Sequence, residues 1–164
     1  MRDQGLSEAD RQLRFETMLE HDFDMPRIAR SVLGRYWNGA SDEERRAFAS
    51  LFERWVVRTY AARLQQYSSE KVRVAGSRAE GDGAVVTMEI TPHNGPPLKV
   101  EWRVSDRSGS LKIVDVDVAG ISMALTEREE IASAIQRSGG TVAALNRTFA
   151  EKLGLAATAD AGGR

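Results

Sequence analysis

Two aspartates in the run Val114–Val118 are the side chains of this sequence best suited by type to proton transfer. A carboxyl group held in an apolar pocket of a helix-and-sheet domain can act as a general acid or base. Alternate residues of a strand point to opposite faces, however, and the valines of this run predict the apolar face. Asp115 and Asp117 are therefore expected to point outward, which argues against an acid-base site.

The other reactive side chains lack the companions that catalysis requires. His21 near a helix end and His93 in a turn have neither the spacing of metal ligands nor that of a base with an orienting acid. Ser122 lies in Gly-Ile-Ser-Met-Ala, which is not the G-x-S-x-G elbow of hydrolases. Gly139 and Gly140 end a helix and do not form a phosphate loop after a strand. We expect no enzyme activity, no metal and no cofactor.

The composition is that of an ordinary globular domain. Hydrophobic residues make up 41% and charged residues 29% of the 164 residues, and there is no cysteine. A net charge of −1, with Lys and Arg spread along the chain, gives no electrostatic basis for nucleic-acid binding. No run of about 18 apolar residues predicts a membrane span. We expect one domain over residues 1–155 and a flexible tail over 156–164.

Five helical segments follow from capping signals and apolar periodicity. Ser7 predicts a helix to about Leu19, and Asp24 predicts a second one that Gly34 ends. The pair Ser41 and Glu44 forms a capping box for a helix over about residues 42–66. A later helix is expected from a Thr126 and Glu129 box to Gly139, and a short one follows to Phe149, which makes five. The long helix carries one apolar stripe: Phe48, Leu51, Phe52, Trp55, Val56, Thr59, Tyr60, Leu64 and Tyr67.

Between the helices the apolar period changes to two, which predicts four antiparallel strands joined by short hairpins. The fourth strand changes phase, so we expect a bulge near Ile113. Each strand is expected to have one dry and one wet face. The dry-face residues are Val72, Val74, Val86, Met88, Ile90, Leu98, Val100, Trp102, Val104, Val114, Val116 and Val118.

This order predicts an α+β fold in which long amphipathic helices pack on a curved four-stranded antiparallel sheet, as in NTF2-like domains. The stripe of the long helix is expected to face the strands of Val86, Val100 and Val116. Helices packed on a curved sheet can leave an apolar cavity between them, and ligand cavities typically measure ~300–1,000 Å³.

Three segments resemble the MlaC family, also called the toluene-tolerance or ABC-transporter auxiliary family. They are Phe23–Trp37, Leu51–Tyr67 and Lys112–Glu130, in this order. The last one is more similar to the hopanoid-biosynthesis-associated branch, HpnM, than to the phospholipid branch. Leu111 and Val114 depart from the family, where aromatic residues are usual.

The resemblance implies a fold like that of MlaC and a soluble periplasmic lipid carrier in a Gram-negative cell. Such a carrier holds a hopanoid or a phospholipid and moves it between an inner-membrane transporter complex and an outer-membrane-associated partner. Transient membrane contact and a monomeric state are expected with it. The first residues show no apolar signal core, which fits either a cytoplasmic protein or a mature region whose export signal has been removed.

The expected lipid-binding residues are apolar or aromatic and belong to the dry faces or to the corner after the fourth strand. Any one of them can equally fill an ordinary core. Met123 is a candidate lip because its side chain is unbranched and adaptable. The set is Val32, Tyr36, Phe52, Trp55, Val56, Tyr60, Met88, Val100, Trp102, Val116, Val118, Ile121 and Met123.

Arg27, Arg30 and Arg35 lie in the first family-like segment, and we expect them to form a partner-docking face. Such arginines can also be the solvated side of an amphipathic helix. Two other functions remain open at this point. One is a small-molecule enzyme of isomerase or dehydratase type, which needs two polar titratable groups converging in the cavity. The other is a protein-binding adaptor with a solid core.

Overall fold

The computed structural model describes residues 5–64 and 71–155. These residues form five α-helices, five β-strands and one 3₁₀ turn, Gly34–Tyr36. In chain order the elements are α1 Glu8–Asp22, α2 Met25–Leu33, α3 Asp42–Leu64, β1 Lys71–Glu80, β2 Gly83–Thr91, β3 Leu98–Ser105, β4 Lys112–Val118, β5 Ile121–Ser122, α4 Met123–Ser138 and α5 Val142–Lys152.

The caps that begin the first three helices are confirmed. Ser7 and the Asp10 side chain form a reciprocal capping box, and the Asp24 carboxylate accepts the N–H of Arg27 at 3.1 Å. Ser41 and Glu44 make the box of α3, with bonds of 2.9 and 3.1 Å. These side chains satisfy N–H groups that have no partner inside the helix. Tyr67 and the predicted tail over 156–164 lie outside the described residues.

The start of α4 differs from the expectation, because the Thr126 and Glu129 capping box does not form. Ser122 is the cap: its hydroxyl oxygen accepts the N–H of Leu125 at 3.1 Å. The Thr126 hydroxyl donates to the Ser122 carbonyl at 2.9 Å and is already inside the helix. The helix starts early because Ser122 already offers a cap hydroxyl directly after the short strand β5.

The sheet is an antiparallel meander of five strands in the order β1-β2-β3-β4-β5, so the expectation of four strands was wrong by one. The extra strand is a two-residue return in which Asp117 pairs with Ser122. Ala119 and Gly120 turn the chain with φ of 51° and 82°. The bulge expected near Ile113 is confirmed, because Arg103 pairs with Asp115 while Val104 pairs with Ile113, which leaves Val114 unpaired.

The helices cover only one end of the sheet. Helices α1, α2 and α4 pack on β4, whereas β1 is exposed along its whole length. Val72 and Val74 are 57% and 66% exposed, so the dry face predicted for the first strand was wrong there. The two-residue period reports pleating correctly, but it does not show which strands a helix reaches.

The stripe of α3 packs partly on α5 and partly lines the space between the other helices and the sheet, so the expectation that all of it faces the sheet was wrong. Phe48 and Trp55 stack on Phe149 of α5, with ring centroids 6.3 and 6.1 Å apart. Phe52 lies beside Phe48 at 5.5 Å and begins the part of the stripe that turns toward the sheet. α5 occupies the remaining side of α3 because its own apolar face needs a partner.

Phe48 tests this packing. Its side chain is completely buried between Phe52 and Phe149, so Phe48→Ala leaves a cavity and is expected to lower the free energy of unfolding by about 3–5 kcal/mol. Leu13→Ala is the control, because Leu13 is 61% exposed and its loss is expected to stay within about 0.5 kcal/mol. Urea unfolding followed by circular dichroism measures both. Similar losses in the two variants would contradict the described core.

Candidate functional site

A cavity of about 260 Å³ lies between α1, α2, α3, α4 and the β3–β4 part of the sheet. Its accessible wall consists of apolar atoms. The residues that line it are Phe15, Met18, Leu19, Phe23, Met25, Ile28, Val32, Phe52, Val56, Tyr60, Trp102, Val114, Asp115, Val116, Val118, Met123, Ala124 and Glu127.

The sheet side of the cavity is the apolar face of β3 and β4. Trp102 pairs directly with Val116, and their side chains share one face of the pleated sheet. Phe23, in the short link between α1 and α2, meets the Trp102 ring edge-on with centroids 6.5 Å apart. The Asp24 N–H donates to the carbonyl of Ile113 at 2.9 Å, which ties this link to the bulged part of β4.

The helix side is built by residues four apart along their helices, which repeat on one helical face. On α3 these are Phe52, Val56 and Tyr60. On α2, Ile28 and Val32 point into the cavity. The arginines of α2 lie on its opposite side, so this helix separates the cavity from a basic surface.

One polar pair belongs to the cavity lining. The Tyr60 hydroxyl donates to Oε1 of Glu127 at 2.6 Å, and the Glu127 side chain is only 8% exposed. Burial raises the pKa of the Glu127 carboxyl, and the Tyr60 hydrogen bond opposes this shift without reversing it. Burial and the adjacent carboxyl raise the pKa of Tyr60 too, so its hydroxyl stays protonated. The second oxygen, Oε2, is buried and has no hydrogen-bond partner.

The sequence predicted that both aspartates of β4 point away from the apolar face, and this was wrong for Asp115, which lines the cavity. Asp117 lies on the opposite face, as predicted, although it is buried there. Asp115 accepts hydrogen bonds from the N–H groups of Val116 and Ala124 and from the hydroxyl of Ser122. Asp117 is 8% exposed and pairs with Arg103 at 3.0 Å. Asp115 therefore fastens the corner into α4, and Asp117 belongs to an ion-paired face of the sheet.

The structure brings most of the predicted lipid-binding residues together at the cavity. Their role in binding a lipid stays a prediction. They come from α2, α3, β3, β4 and the first turn of α4, so only folding makes them neighbours. These residues are Val32, Phe52, Val56, Tyr60, Trp102, Val116, Val118 and Met123.

The other predicted residues lie elsewhere. Trp55 faces α5, where its ring lies parallel to that of Phe149. Tyr36 lies in the 3₁₀ turn, with the Arg35 guanidinium 4.9 Å from its ring. Trp55 belongs to the apolar stripe of the long helix and Tyr36 follows the second helix, but both point toward neighbours other than the sheet.

Three further predicted residues, Met88, Val100 and Ile121, belong to the sheet and its corner without lining the cavity. Val100 is buried between Met88 and Val118, which are its cross-strand partners. Ile121 is 62% exposed in β5. An alternating pattern places these residues on the correct face but does not show how far along the sheet the cavity extends.

Sequence reasoning missed the contribution of α1 and the polar member of α4. Phe15, Met18 and Leu19 follow a three- and four-residue spacing that already indicated an inward face. Glu127 lies midway between Met123 and Ile131, which line the cavity and the core. An acidic residue at an apolar helical position was the available signal.

A second, basic cleft of about 340 Å³ lies on the far side of α2. Arg27, Arg30 and Arg128 line it, and the Arg30 guanidinium lies 5.4 Å from the Trp37 ring. Arg128 donates to the Ser31 carbonyl at 2.8 Å, which holds α4 against α2. This cleft contains two of the three predicted docking arginines.

Arg35 does not line the cleft, since it donates to the Tyr36 hydroxyl at 2.9 Å. Arg128 takes the third position instead. Gly34 permits this approach: its φ is +53°, and a Cβ there would lie 3.3 Å from Cδ of Arg128. The sequence did not predict Arg128 because it lies almost a hundred residues from α2.

The geometry defines a class: an α+β domain that encloses an apolar cavity between four helices and one end of an antiparallel sheet. Over residues 5–64 and 71–155, no group of His, Asp and Glu side chains is placed to hold a metal ion. In the same ranges no helix is long and apolar enough to cross a membrane. The chain belongs to the MlaC protein family, whose family model matches residues 1–151.

Two relatives carry informative names. Toluene tolerance protein ttg2D of Pseudomonas putida is 29% identical over 118 residues, which cover 71% of this chain and 55% of the relative. The intermembrane phospholipid transport system binding protein MlaC of Haemophilus influenzae is 31% identical over 97 residues, covering 56% of this chain and 45% of the relative. The chain therefore spans about half the length of these relatives.

A solved structure has the same fold. It is that of a phospholipid-binding protein from Ralstonia solanacearum in complex with a phospholipid. The TM-score is 0.74 at 22% identity, and the match covers 92% of this chain and 87% of that one. The likeness confirms the helix-and-sheet architecture.

Glu127 predicts a pH dependence of stability. Its folded pKa lies above the ordinary value of 4.5, so the folded protein holds this proton more tightly than the unfolded chain. The stabilisation is complete below the unfolded pKa and is lost as the pH rises through the folded pKa. Relative to Glu127→Gln, the wild type should lose stability as the pH rises above 4.5, the ordinary pKa of the side chain, as measured by thermal unfolding.

Glu129→Gln is the matched control, because Glu129 is an exposed residue of the same helix. Besides the Tyr60 hydrogen bond, the charges of Glu130 and Arg63 act on Glu127, and both residues remain in each variant. A constant difference between wild type and Glu127→Gln over this pH range would contradict the raised pKa.

Proposed function

We propose that this protein is a periplasmic lipid carrier of an ABC-type lipid transport system, which binds one lipid in the apolar cavity. The observation that carries the proposal is the cavity itself: helices and sheet leave about 260 Å³ with an apolar wall. The names of the two relatives, which refer to toluene tolerance and intermembrane phospholipid transport, support this direction. So does the phospholipid bound to a protein of the same fold.

An apolar cavity is sufficient for reversible transfer. Each methylene group removed from water contributes ~0.8 kcal/mol, so a buried chain segment is held firmly against aqueous release. In a membrane the same segment is already away from water, so the difference between membrane and protein is small. A carrier therefore needs apolar lining and a controlled opening, and it needs no catalytic group.

The enzyme alternative keeps one supporting observation. Tyr60 and Glu127 converge at the cavity, and a tyrosine beside a protonated carboxyl polarises a carbonyl group in ketosteroid isomerase. That chemistry also needs a carboxylate free to take a proton. Asp115, the other carboxylate of the lining, already accepts three hydrogen bonds. The carrier is therefore the better-supported function.

We propose either a phospholipid or a hopanoid as cargo, moved between an inner-membrane transporter complex and an outer-membrane-associated partner. The names of the Haemophilus influenzae and Ralstonia solanacearum proteins favour a phospholipid. The likeness of the segment Lys112–Glu130 to the HpnM branch favours a hopanoid.

The basic cleft is the proposed docking face for these partners. Arg27, Arg30 and Arg128 line it, and no acidic residue does, so it suits an acidic protein surface. α2 carries the cleft on one side and Ile28 and Val32 of the cavity on the other. A partner bound in the cleft would thus contact the helix that forms one wall of the lipid site.

Native mass spectrometry of the protein purified from lipid-containing cells tests the carrier. The wild type is expected to carry a lipid adduct. Val56→Trp fills part of the cavity and should reduce the adduct by about tenfold, at a stability cost of about 1–3 kcal/mol. Val74→Trp is the control, because Val74 is 66% exposed on β1. The absence of any adduct from the wild type would contradict the carrier.

The docking face is tested with immobilised protein and detergent-solubilised inner membrane of the same cells. Arg27→Glu combined with Arg128→Glu reverses the charge of the cleft and should reduce capture of transporter subunits by about tenfold. Arg35→Glu, outside the cleft, serves as the control. Equal capture by all three proteins would exclude the cleft as the docking face.

A further inference from the structure

The carboxyl group of Glu127 lacks one hydrogen bond. It is 8% exposed, it belongs to the lining of an otherwise apolar cavity, and only one of its oxygens has a partner. Its second oxygen, Oε2, is buried without any hydrogen bond. An unsatisfied buried polar atom costs about 1–3 kcal/mol, and more when the group is charged. An apolar residue at this position would remove that cost.

The neighbouring polar groups do not supply the missing bond. The Tyr60 hydroxyl is committed to Oε1, on the same carboxyl. The Ser122 hydroxyl donates to Asp115, as do the N–H groups of Val116 and Ala124. Arg63 lies near enough to lower the pKa of Glu127, yet its guanidinium lies 5.5 Å from the Tyr60 ring and makes no hydrogen bond to the carboxyl. Among residues 5–64 and 71–155, no side chain or backbone group therefore supplies a hydrogen bond to Oε2.

We propose that the cavity binds a lipid that carries a hydroxyl group within its apolar body or at its inserted end, and that this hydroxyl bonds to Oε2 of Glu127. A hydroxyl satisfies this oxygen in both protonation states of the carboxyl with a single atom. It donates to a carboxylate, and it accepts from a protonated carboxyl. An ammonium group satisfies only the first state, and an ether or ester oxygen only the second.

This inference rests on the proposed carrier function and narrows its cargo. The inserted end of an unmodified acyl chain has no hydrogen-bond donor, so it would leave Oε2 without a hydrogen bond. A polycyclic or long-chain alcohol inserted with its hydroxyl first would supply the hydrogen bond that Oε2 lacks. The accessible wall is apolar, so the Glu127 carboxyl must turn toward the ligand, which the three rotatable bonds of a glutamate side chain permit.

Two isomeric ligands test the proposal directly. Dodecan-1-ol and 1-methoxyundecane have the same atoms, but only the alcohol can donate a hydrogen bond. The full chain is incubated with an equimolar mixture in which the ether is deuterated, and native mass spectrometry counts the two adducts. At the alkaline end of the pH range in which the protein is folded, the carboxyl is ionised and the ether cannot bond to it, so we expect the wild type to favour the alcohol by about tenfold there, the ratio that one well-formed hydrogen bond to a charged partner gives.

Variants assign the preference to Glu127. Glu127→Met removes the acceptor at similar length and should bring the alcohol-to-ether ratio to about one. Glu127→Gln keeps the polarity of the site and should narrow the ratio, because its amide N–H can donate to the ether. Glu129→Met, on the exposed side of α4, should keep the wild-type ratio. Thermal unfolding shows whether each variant is folded.

The outcomes separate this proposal from the carrier function. An alcohol-to-ether ratio near one in the wild type, with both ligands bound, overturns the hydroxyl site and leaves the carrier in place. Oε2 then bonds to a trapped water. A preference that persists in Glu127→Met also overturns it. If neither ligand binds while a phospholipid adduct is found, the hydroxyl site fails alone. If no lipid of any class binds, both proposals fail.

Discussion

The structure depends on how the helices attach to a single edge region of the sheet. The Asp24 N–H bonds to the Ile113 carbonyl, next to the bulge that leaves Val114 unpaired, and α1, α2 and α4 all pack on β4. Backbone hydrogen bonding fixes the distance of closest approach here. Farther along the face, where Trp102 and Val116 stand opposite Phe52 and Val56, side chains of ordinary size do not close the gap. The cavity is therefore a consequence of where the helices are anchored.

The same anchoring explains why two interior faces of α3 have different characters. Toward α5, Phe48, Trp55 and Phe149 stack as closely packed rings and exclude space. Toward the sheet, Val56 and Tyr60 leave room. A domain whose helices were packed closely on both sides would gain stability and lose its binding volume, because protein interiors normally tolerate few voids. The packed side of α3 compensates for the open one.

The buried carboxyl of Glu127 fits this division between stability and binding. It destabilises the folded protein in the pH range where it is ionised, as burial raises its pKa. Its position beside Tyr60 gives an apolar cavity an oriented polar group. Such a group adds little affinity for a lipid that lacks a polar atom at that depth. It discriminates strongly in favour of a lipid that has one, since a buried polar group left unpaired is costly on either partner.

The sequence alone determined the helix starts at Ser7, Asp24 and Ser41, the two-residue period of the strands and the bulge near Ile113. All of these depend on side chains within about four residues of the backbone they organise, which is why local patterns predict them. Three segments resembling the MlaC family indicated the same family that the family model confirms over residues 1–151. Only the tertiary structure decided which apolar faces meet. It placed Trp55 against α5, left Val74 exposed, and brought Arg128 into the cleft and Glu127 beside Tyr60. These pairings join residues far apart in the chain, and their geometry follows from the crossing of whole elements, which no local pattern encodes.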